Sequence, residues 1–238
     1  MGVLVISQAR KAIKDYDMIQ DNDHIAIGVS GGKDSLTLLI VLAALKGRIP
    51  QKFDIEAVTL DMGFKGFDMS YVQKLCDELH VRYTIVDSQI GNIVFENRKE
   101  TNPCSLCSNL RRGILNDTAK GLGCNKVALG HNKDDVVETF LMSLFYEGRL
   151  HTFSPVTYLS RRDITVIRPL IYSFETDIRS FLKTKDISPV RSECPVAGRT
   201  NRQNAKEYIE REMAINPNFK ANLFGALTRG NISNWHEV

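Results

Sequence analysis

The chain has 238 residues, enough for one large domain with a substantial core. With 43% apolar and 25% charged residues, it falls outside the collagenous, disordered and disulfide-scaffold classes. Its most apolar run, residues 36–45, is far shorter than the roughly 20 residues a membrane-spanning helix needs. The formal charge of +3 is uneven, because residues 158–238 carry 13 Lys/Arg against 9 Asp/Glu while the remainder is close to neutral. That basic surplus permits a nucleic-acid partner. Residues 1–6 have no basic lead before their apolar patch, and Ile6 stands where a myristoylation pattern wants Ser or Thr, so no export or lipid signal is read. The cysteines number five, an odd count, which with the pair Cys104 and Cys107 points to metal or redox chemistry in a reducing, cytoplasmic compartment.

In chain order the pattern predicts a helix over residues 4–19, a strand over 25–30, a helix over 33–45, a strand over 55–62 and a helix over 69–80. A strand over 83–86, a helix over 107–122, a strand over 126–130 and a helix over 134–145 follow. The series ends with a strand over 165–171, a helix over 175–185 and further helix across 200–230. Strands alternating with helices imply an α/β fold, a Rossmann-like parallel sheet of about five strands with helices on both faces. The continuous apolar cores at Ile25-Ala26-Ile27 and Val127-Ala128-Leu129 fit strands buried on both sides. The expected organisation is an N-terminal helix at 1–22, an α/β domain at 23–190 and a C-terminal helical segment at 191–238. Ligands of such sheets bind beyond the carboxyl ends of the strands, which places the chemistry just after Val29, Leu60 and Leu129.

The first strand runs through Ser30-Gly31-Gly32-Lys33-Asp34-Ser35 straight into a helix. Glycines let the backbone turn tightly against an anion, while hydroxyls and helix N-terminal amides supply donors to phosphate. The spacing is not of the Walker type, since Lys33 is followed by Asp34, and no G-x-G-x-x-G fingerprint is present. Ser30 to Ser35 resemble the signature of the PP-loop ATP pyrophosphatases. The resemblance implies cleavage of ATP between the α- and β-phosphates, with the loop holding pyrophosphate while a substrate oxygen is adenylylated. It implies ATP contacts from Val29, Ser30, Gly31, Gly32, Lys33, Asp34 and Ser35, together with Asp61 and Gly130. Lys33 would neutralise developing charge and Asp34 would help hold Mg2+.

Cys104 and Cys107, two residues apart, can reach one metal centre, and a third ligand must come from elsewhere. Cys76 lies between Leu75 and Leu79 on an amphipathic helix and Cys124 leads into a buried strand, so both suit the core. Cys194 stands in the polar stretch Arg191-Ser192-Glu193-Cys194-Pro195, where a thiol has no packing reason to be. Three cysteines without a companion histidine argue against a closed structural zinc site, whereas a four-iron cluster held by three cysteines leaves one iron open. A redox C-x-x-C or a zinc knuckle is the alternative for the pair alone.

Residues 15–19, the block from Cys104 to Leu115, Gly130-His131-Asn132-Lys133-Asp134-Asp135 and Ile167-Arg168-Pro169-Leu170 together resemble the tRNA 2-thiocytidine synthetase group of PP-loop enzymes over about residues 10–200. Two departures, Asn132 for a common histidine and Ala197 where a second C-x-x-C is usual, lean toward the related 2-thiouridine enzymes. The resemblance implies adenylation of the C2 oxygen of a pyrimidine, cytidine in a tRNA anticodon loop with 2-thiouridine formation as the alternative, then replacement by sulfur. It implies a 4Fe-4S cluster on Cys104, Cys107 and Cys194 and catalytic roles for Lys33, Asp34, Asp135 and Arg111. Asp135 would order magnesium or the base, and Arg111 would steady the α-phosphate or leaving AMP. Without the resemblance, a helix N-cap at Asp134 or Asp135 and a solvated helix face at Arg111 and Arg112 serve equally well. The implied partners are tRNA and sulfide or a sulfur-donor protein such as a cysteine desulfurase, with no membrane and with a homodimer allowed. Arg191, Arg199, Arg202, Lys206 and Arg211 are candidates for the RNA backbone, against a salt-bridged helix made with the interspersed acids Glu193, Glu207, Glu210 and Glu212. Another PP-loop ligase using zinc, and an ATP-gated RNA-binding module without turnover, are the competing readings.

Overall fold

A computed structural model describes residues 2–64, 68–97, 103–190 and 201–236. Ile25, Ala26 and Ile27 are all fully buried, and their side chains divide by alternation between two cores. Ile25 and Ile27 join the larger one and Ala26 the smaller. They belong to β1 (Asp23–Gly28), which pairs in parallel with β2 (Phe53–Asp61) on one side and β4 (Lys126–Ala128) on the other. Beyond β2 lies β3 (Arg82–Asp87), and beyond β4 lies β6 (Ile164–Ile167), both parallel. The sheet order is β3-β2-β1-β4-β6-β5.

The outermost strand, β5 (Val156–Leu159), is antiparallel to β6 and was not expected from the sequence, so the parallel core of five strands carries a sixth at its edge. Edge strands bury little, and here Tyr158 is 61% exposed, so no apolar run announces the element. Order reverses at β1: the chain goes outward through β2 and β3, then returns to place β4 on the opposite side. That switch opens a crevice at the carboxyl ends of β1 and β4.

The larger core is covered by α1 (Gly2–Asp15), α2 (Lys33–Leu45), α3 (Ser70–Glu78), α5 (Lys133–Glu147), α6 (Glu175–Lys183), α7 (Asn201–Ile215) and α8 (Phe219–Arg229). The smaller is covered by α4 (Pro103–Gly121), through Leu115 and Ala119. A turn of π-helix, Asn92–Asn97, precedes α4. The C-terminal helices share the larger core through Ile209, Phe224 and Leu227. Trp235 closes it, fully buried, edge-on to Tyr16 and Phe224 and donating Nε1–H to the Phe153 carbonyl at 2.9 Å. A buried aromatic of this kind is worth roughly 3–5 kcal/mol against alanine.

Candidate active site at the switch of the sheet

Val29 extends the pairing of β1 by one bond, its amide donating to the Val58 carbonyl at 2.8 Å, and the chain then leaves the sheet. Gly31 turns at φ +75°, a left-handed conformation that favours glycine. Its carbonyl accepts from Val190 N at 2.9 Å, which ties the loop to the chain beyond α6. The Ser35 hydroxyl folds the loop on itself, donating to the Gly32 carbonyl at 2.9 Å and accepting from Ser30 N at 3.1 Å. Gly32 has no side chain with which to cap α2, so the first-turn amides remain available to an anion.

Gly130, just past β4, packs its backbone against that turn. A Cβ placed there would lie 2.9 Å from the Asp34 carbonyl carbon, so only glycine fits. Asn132 then caps α5: its side chain accepts from Asp135 N at 3.1 Å while the Asp135 carboxylate accepts from Asn132 N at 3.0 Å, a reciprocal capping box. The Asn132 amide also donates to Asp34 Oδ1 at 2.9 Å. Asp134 is not the cap. Buried beside it, Asp134 accepts from Glu175 N and pairs with Lys220.

These contacts belong to a closed ring of charges. Asp135 Oδ1 meets Arg202 Nη1 at 3.0 Å, and the same nitrogen meets Glu138 Oε2 at 2.9 Å. Lys206 stands 3.6 Å from both Glu138 and Glu175, Glu175 stands 3.6 Å from Lys33, and Lys33 lies 2.7 Å from Asp34 Oδ2. Burial pushes the carboxyls of Asp135 and Glu138 above the usual range, against the pull of Arg202 on Asp135 and of Lys206 and Arg202 on Glu138. Arg202 and Lys206 thus pair with acids of α5 and α6, and among the described candidates only Arg211 has an acid of its own helix, Glu212, at 3.8 Å.

Asp61 ends β2 at the same rim, accepting from Gly63 N at 2.8 Å. Arg111 is exposed on α4. Leu115 touches Gly28 at the end of β1, and α4 climbs beyond the rim from there toward its N-terminus. At 1.5 Å per residue Cys107 stands about 12 Å further along the axis. Cys104 is exposed and Cys107 half-buried, three positions apart in the first turns of α4 and hence on one face. Cys76 and Cys124 are buried, and burial pushes their thiols up to about 12 and about 11, the wrong direction for ligands that must bind as thiolates. The accessible pair therefore fits a metal centre. No group of three ligating side chains occurs among the described residues, and Cys194, Arg191 and Arg199 lie outside them.

The sequence did not single out Glu138 or Glu175, and it carried Arg168 only as one member of Ile167-Arg168-Pro169-Leu170. Asn132 had a usable signal, an Asn followed three residues on by Asp135 before a helix.

A parallel sheet with a glycine-turned loop and a lysine at its switch, open to an anion, defines an ATP-binding α/β protein. The PP-loop domain family matches residues 3–206, and the chain belongs to that family, on the branch of the tRNA-cytidine(32) 2-sulfurtransferases. The relative from Geobacter sulfurreducens is 38% identical over 93% of this chain and 87% of its own length. That from Cupriavidus necator is 39% identical over 93% of this chain and 71% of its own. Among solved structures, the U34-tRNA thiolase NcsA of Methanococcus maripaludis, determined with its [4Fe-4S] cluster, superposes with a TM-score of 0.78 at 25% identity, covering 94% of this chain and 78% of that one. The NH3-dependent NAD synthetase of Campylobacter jejuni shares the fold at a TM-score of 0.53 and 14% identity.

Proposed function

We propose that this protein is an ATP-dependent tRNA sulfurtransferase that adenylates the C2 oxygen of a cytidine in the anticodon loop and replaces it with sulfur. The observation that carries the reading is the likeness to tRNA-cytidine(32) 2-sulfurtransferases over more than nine-tenths of the chain, phosphate loop included. Uridine is the second reading, favoured by Asn132 and by the likeness to a U34-tRNA thiolase.

The amides and hydroxyls of Ser30 to Ser35 hold the β- and γ-phosphates, and Lys33 moves from Asp34 and Glu175 onto the charge developing on pyrophosphate. Asp34 holds magnesium, oriented by Asn132, and Asp135 acts through its grip on Asn132. Val29, Asp61 and Gly130 line the nucleotide. The pyrimidine oxygen attacks the α-phosphorus and pyrophosphate leaves; the same oxygen departs later with AMP, near Arg111. Cys104, Cys107 and Cys194 would hold a 4Fe-4S cluster, which would bind exogenous sulfide and present it to take the oxygen's place. The base must be unstacked for its C2 edge to be reached, which favours a loop nucleotide. Sulfide itself or a cysteine desulfurase type of protein is the donor, and a homodimer is compatible with the reading. Among the described residues no helix is long and apolar enough to cross a membrane.

The direct test of the first half-reaction is pyrophosphate release from MgATP. Stimulation by unmodified tRNA, lost in Asp34→Ala, supports the reading. Release of ADP and phosphate, or pyrophosphate formed only with a small-molecule acceptor, contradicts it.

A further inference from the structure

Arg168 is only 8% exposed and follows directly on the end of β6, two strands from β1 and so about 10 Å across the rim from the phosphate loop. A guanidinium has five N–H donors and accepts nothing. Nε donates to Nδ1 of His131 at 3.3 Å, and Nη1 donates to the Ser154 carbonyl at 2.6 Å and to Thr157 Oγ1 at 3.1 Å. The plane lies over Phe153, 5.0 Å from the ring centroid. Both donors of Nη2 are without a partner among the described residues, and no carboxylate there comes within 4.0 Å of this guanidinium. The other buried cation differs: Lys126 has Asp23 at 2.7 Å and the Met18 carbonyl at 2.9 Å.

The residue is otherwise buried, yet Nη2 keeps contact with solvent, so a largely desolvated charge presents its unpartnered donors where an anion can reach them. Its neighbours do not provide one. His131, stacked on Phe153 at 4.7 Å, accepts through Nδ1 and therefore carries its proton on Nε2 as a neutral ring. Burial, then Arg168, Arg202, Arg112 and Arg111, hold the imidazole down to about 3. Burial and Arg112 likewise pull Arg168 down to about 10. Among the described residues the leading charges felt there are positive, and of these Arg202 is matched by acids.

We propose that Nη2 of Arg168, flanked by Arg112 and Arg111 of α4, forms an oxyanion subsite that takes a phosphate group, either the α-phosphate of the nucleotide or a backbone phosphodiester beside the target base. The inference rests on the phosphoryl-transfer reading above but concerns binding, which AMP reports without any RNA chemistry. Its failure is thus distinguishable from failure of the thiolation reading.

The experiment uses cluster-loaded Arg168→Lys, Arg168→Gln and Arg112→Gln, each checked by circular dichroism and iron content. AMP affinity is measured by calorimetry, and unmodified tRNA affinity across a salt series. Loss of a charged hydrogen bond predicts that Arg168→Gln weakens one ligand roughly ten- to a hundred-fold, with partial rescue in Arg168→Lys and a smaller loss in Arg112→Gln. Weakened AMP with unchanged tRNA assigns the α-phosphate. Weakened tRNA with a salt slope reduced by about one assigns the backbone phosphate. Folded variants that bind both ligands like the parent overturn the proposal, as does loss of iron with both affinities intact, which would make the cluster the counter-ion. Should the Arg168 variants not fold, unchanged affinities in Arg112→Gln overturn it alone.

Discussion

The side-chain amide of Asn132 donates to Oδ1 of Asp34 at 2.9 Å, joining the cap of α5 to the first turn of α2 across 98 residues of sequence. One side chain thus ends a helix and orients the acid read as the magnesium ligand. In Asn132→Ala the lost cap costs about 1 kcal/mol, lowering Tm by about 2–4 °C. Pyrophosphate release should fall about tenfold, the value of a misoriented charged group near 1.4 kcal/mol. Asn132→Ser restores the cap without the reach, so its melting temperature should recover and its activity should not. Recovery of both would assign Asn132 a purely structural role.

Gly130→Ala drives a methyl group to 2.9 Å from the Asp34 carbonyl carbon, where backbone must give way. The displaced turn carries the phosphate loop, so ATP affinity and pyrophosphate release should fall together. Gly123→Ala, at a turn with φ +77° but nothing within 4 Å, should lose stability and keep ATP affinity. Calorimetric titration with a non-hydrolysable ATP analogue checks both.

Iron content separates the cysteines. Cys104→Ala, Cys107→Ala and Cys194→Ala should each lose the absorption near 400 nm and most of the iron. Cys76→Ala and Cys124→Ala should keep both while melting at lower temperature, because their thiols are small core groups. A full cluster in Cys194→Ala would move the third ligand elsewhere.

His131 gives stability a defined pH dependence. Burial and then the surrounding arginines depress its folded value to about 3 from an ordinary value near 6.5. Below pH 6.5 the unfolded chain takes up a proton that the folded ring refuses, so stability falls as pH drops from about 6.5 toward 3, by on the order of 4 kcal/mol at the end of that range. His131→Gln cannot protonate, and the difference in unfolding free energy between it and the parent should shrink with decreasing pH. A difference constant from pH 7 to pH 4.5 would show that the ring titrates normally.

The parallel core was legible because β1 and β4 are apolar on both faces and because the loop after β1 carries glycine, lysine and hydroxyls where a helix begins. The strand β5 escaped because an edge strand needs no apolar run, and α1 ends at Asp15, sooner than expected, where Asp17 adopts φ 49°. The charge ring was hidden for another reason. Arg202 and Lys206 look like a solvated basic face in a linear reading, yet their partners Asp135, Glu138 and Glu175 lie on other helices, and only packing of α7 on α5 brings them together. Arg168 was visible inside Ile167-Arg168-Pro169-Leu170, but its burial without an acid is a property of three dimensions.

The central claim is the product. Cluster-loaded protein incubated with MgATP, sulfide and unmodified tRNA, followed by digestion and mass spectrometry of the nucleosides, should yield 2-thiocytidine, with none formed by Asp34→Ala. Thiouridine alone would shift the target base to the second reading, and no thionucleoside from active, iron-replete protein with any tRNA would contradict RNA thiolation itself.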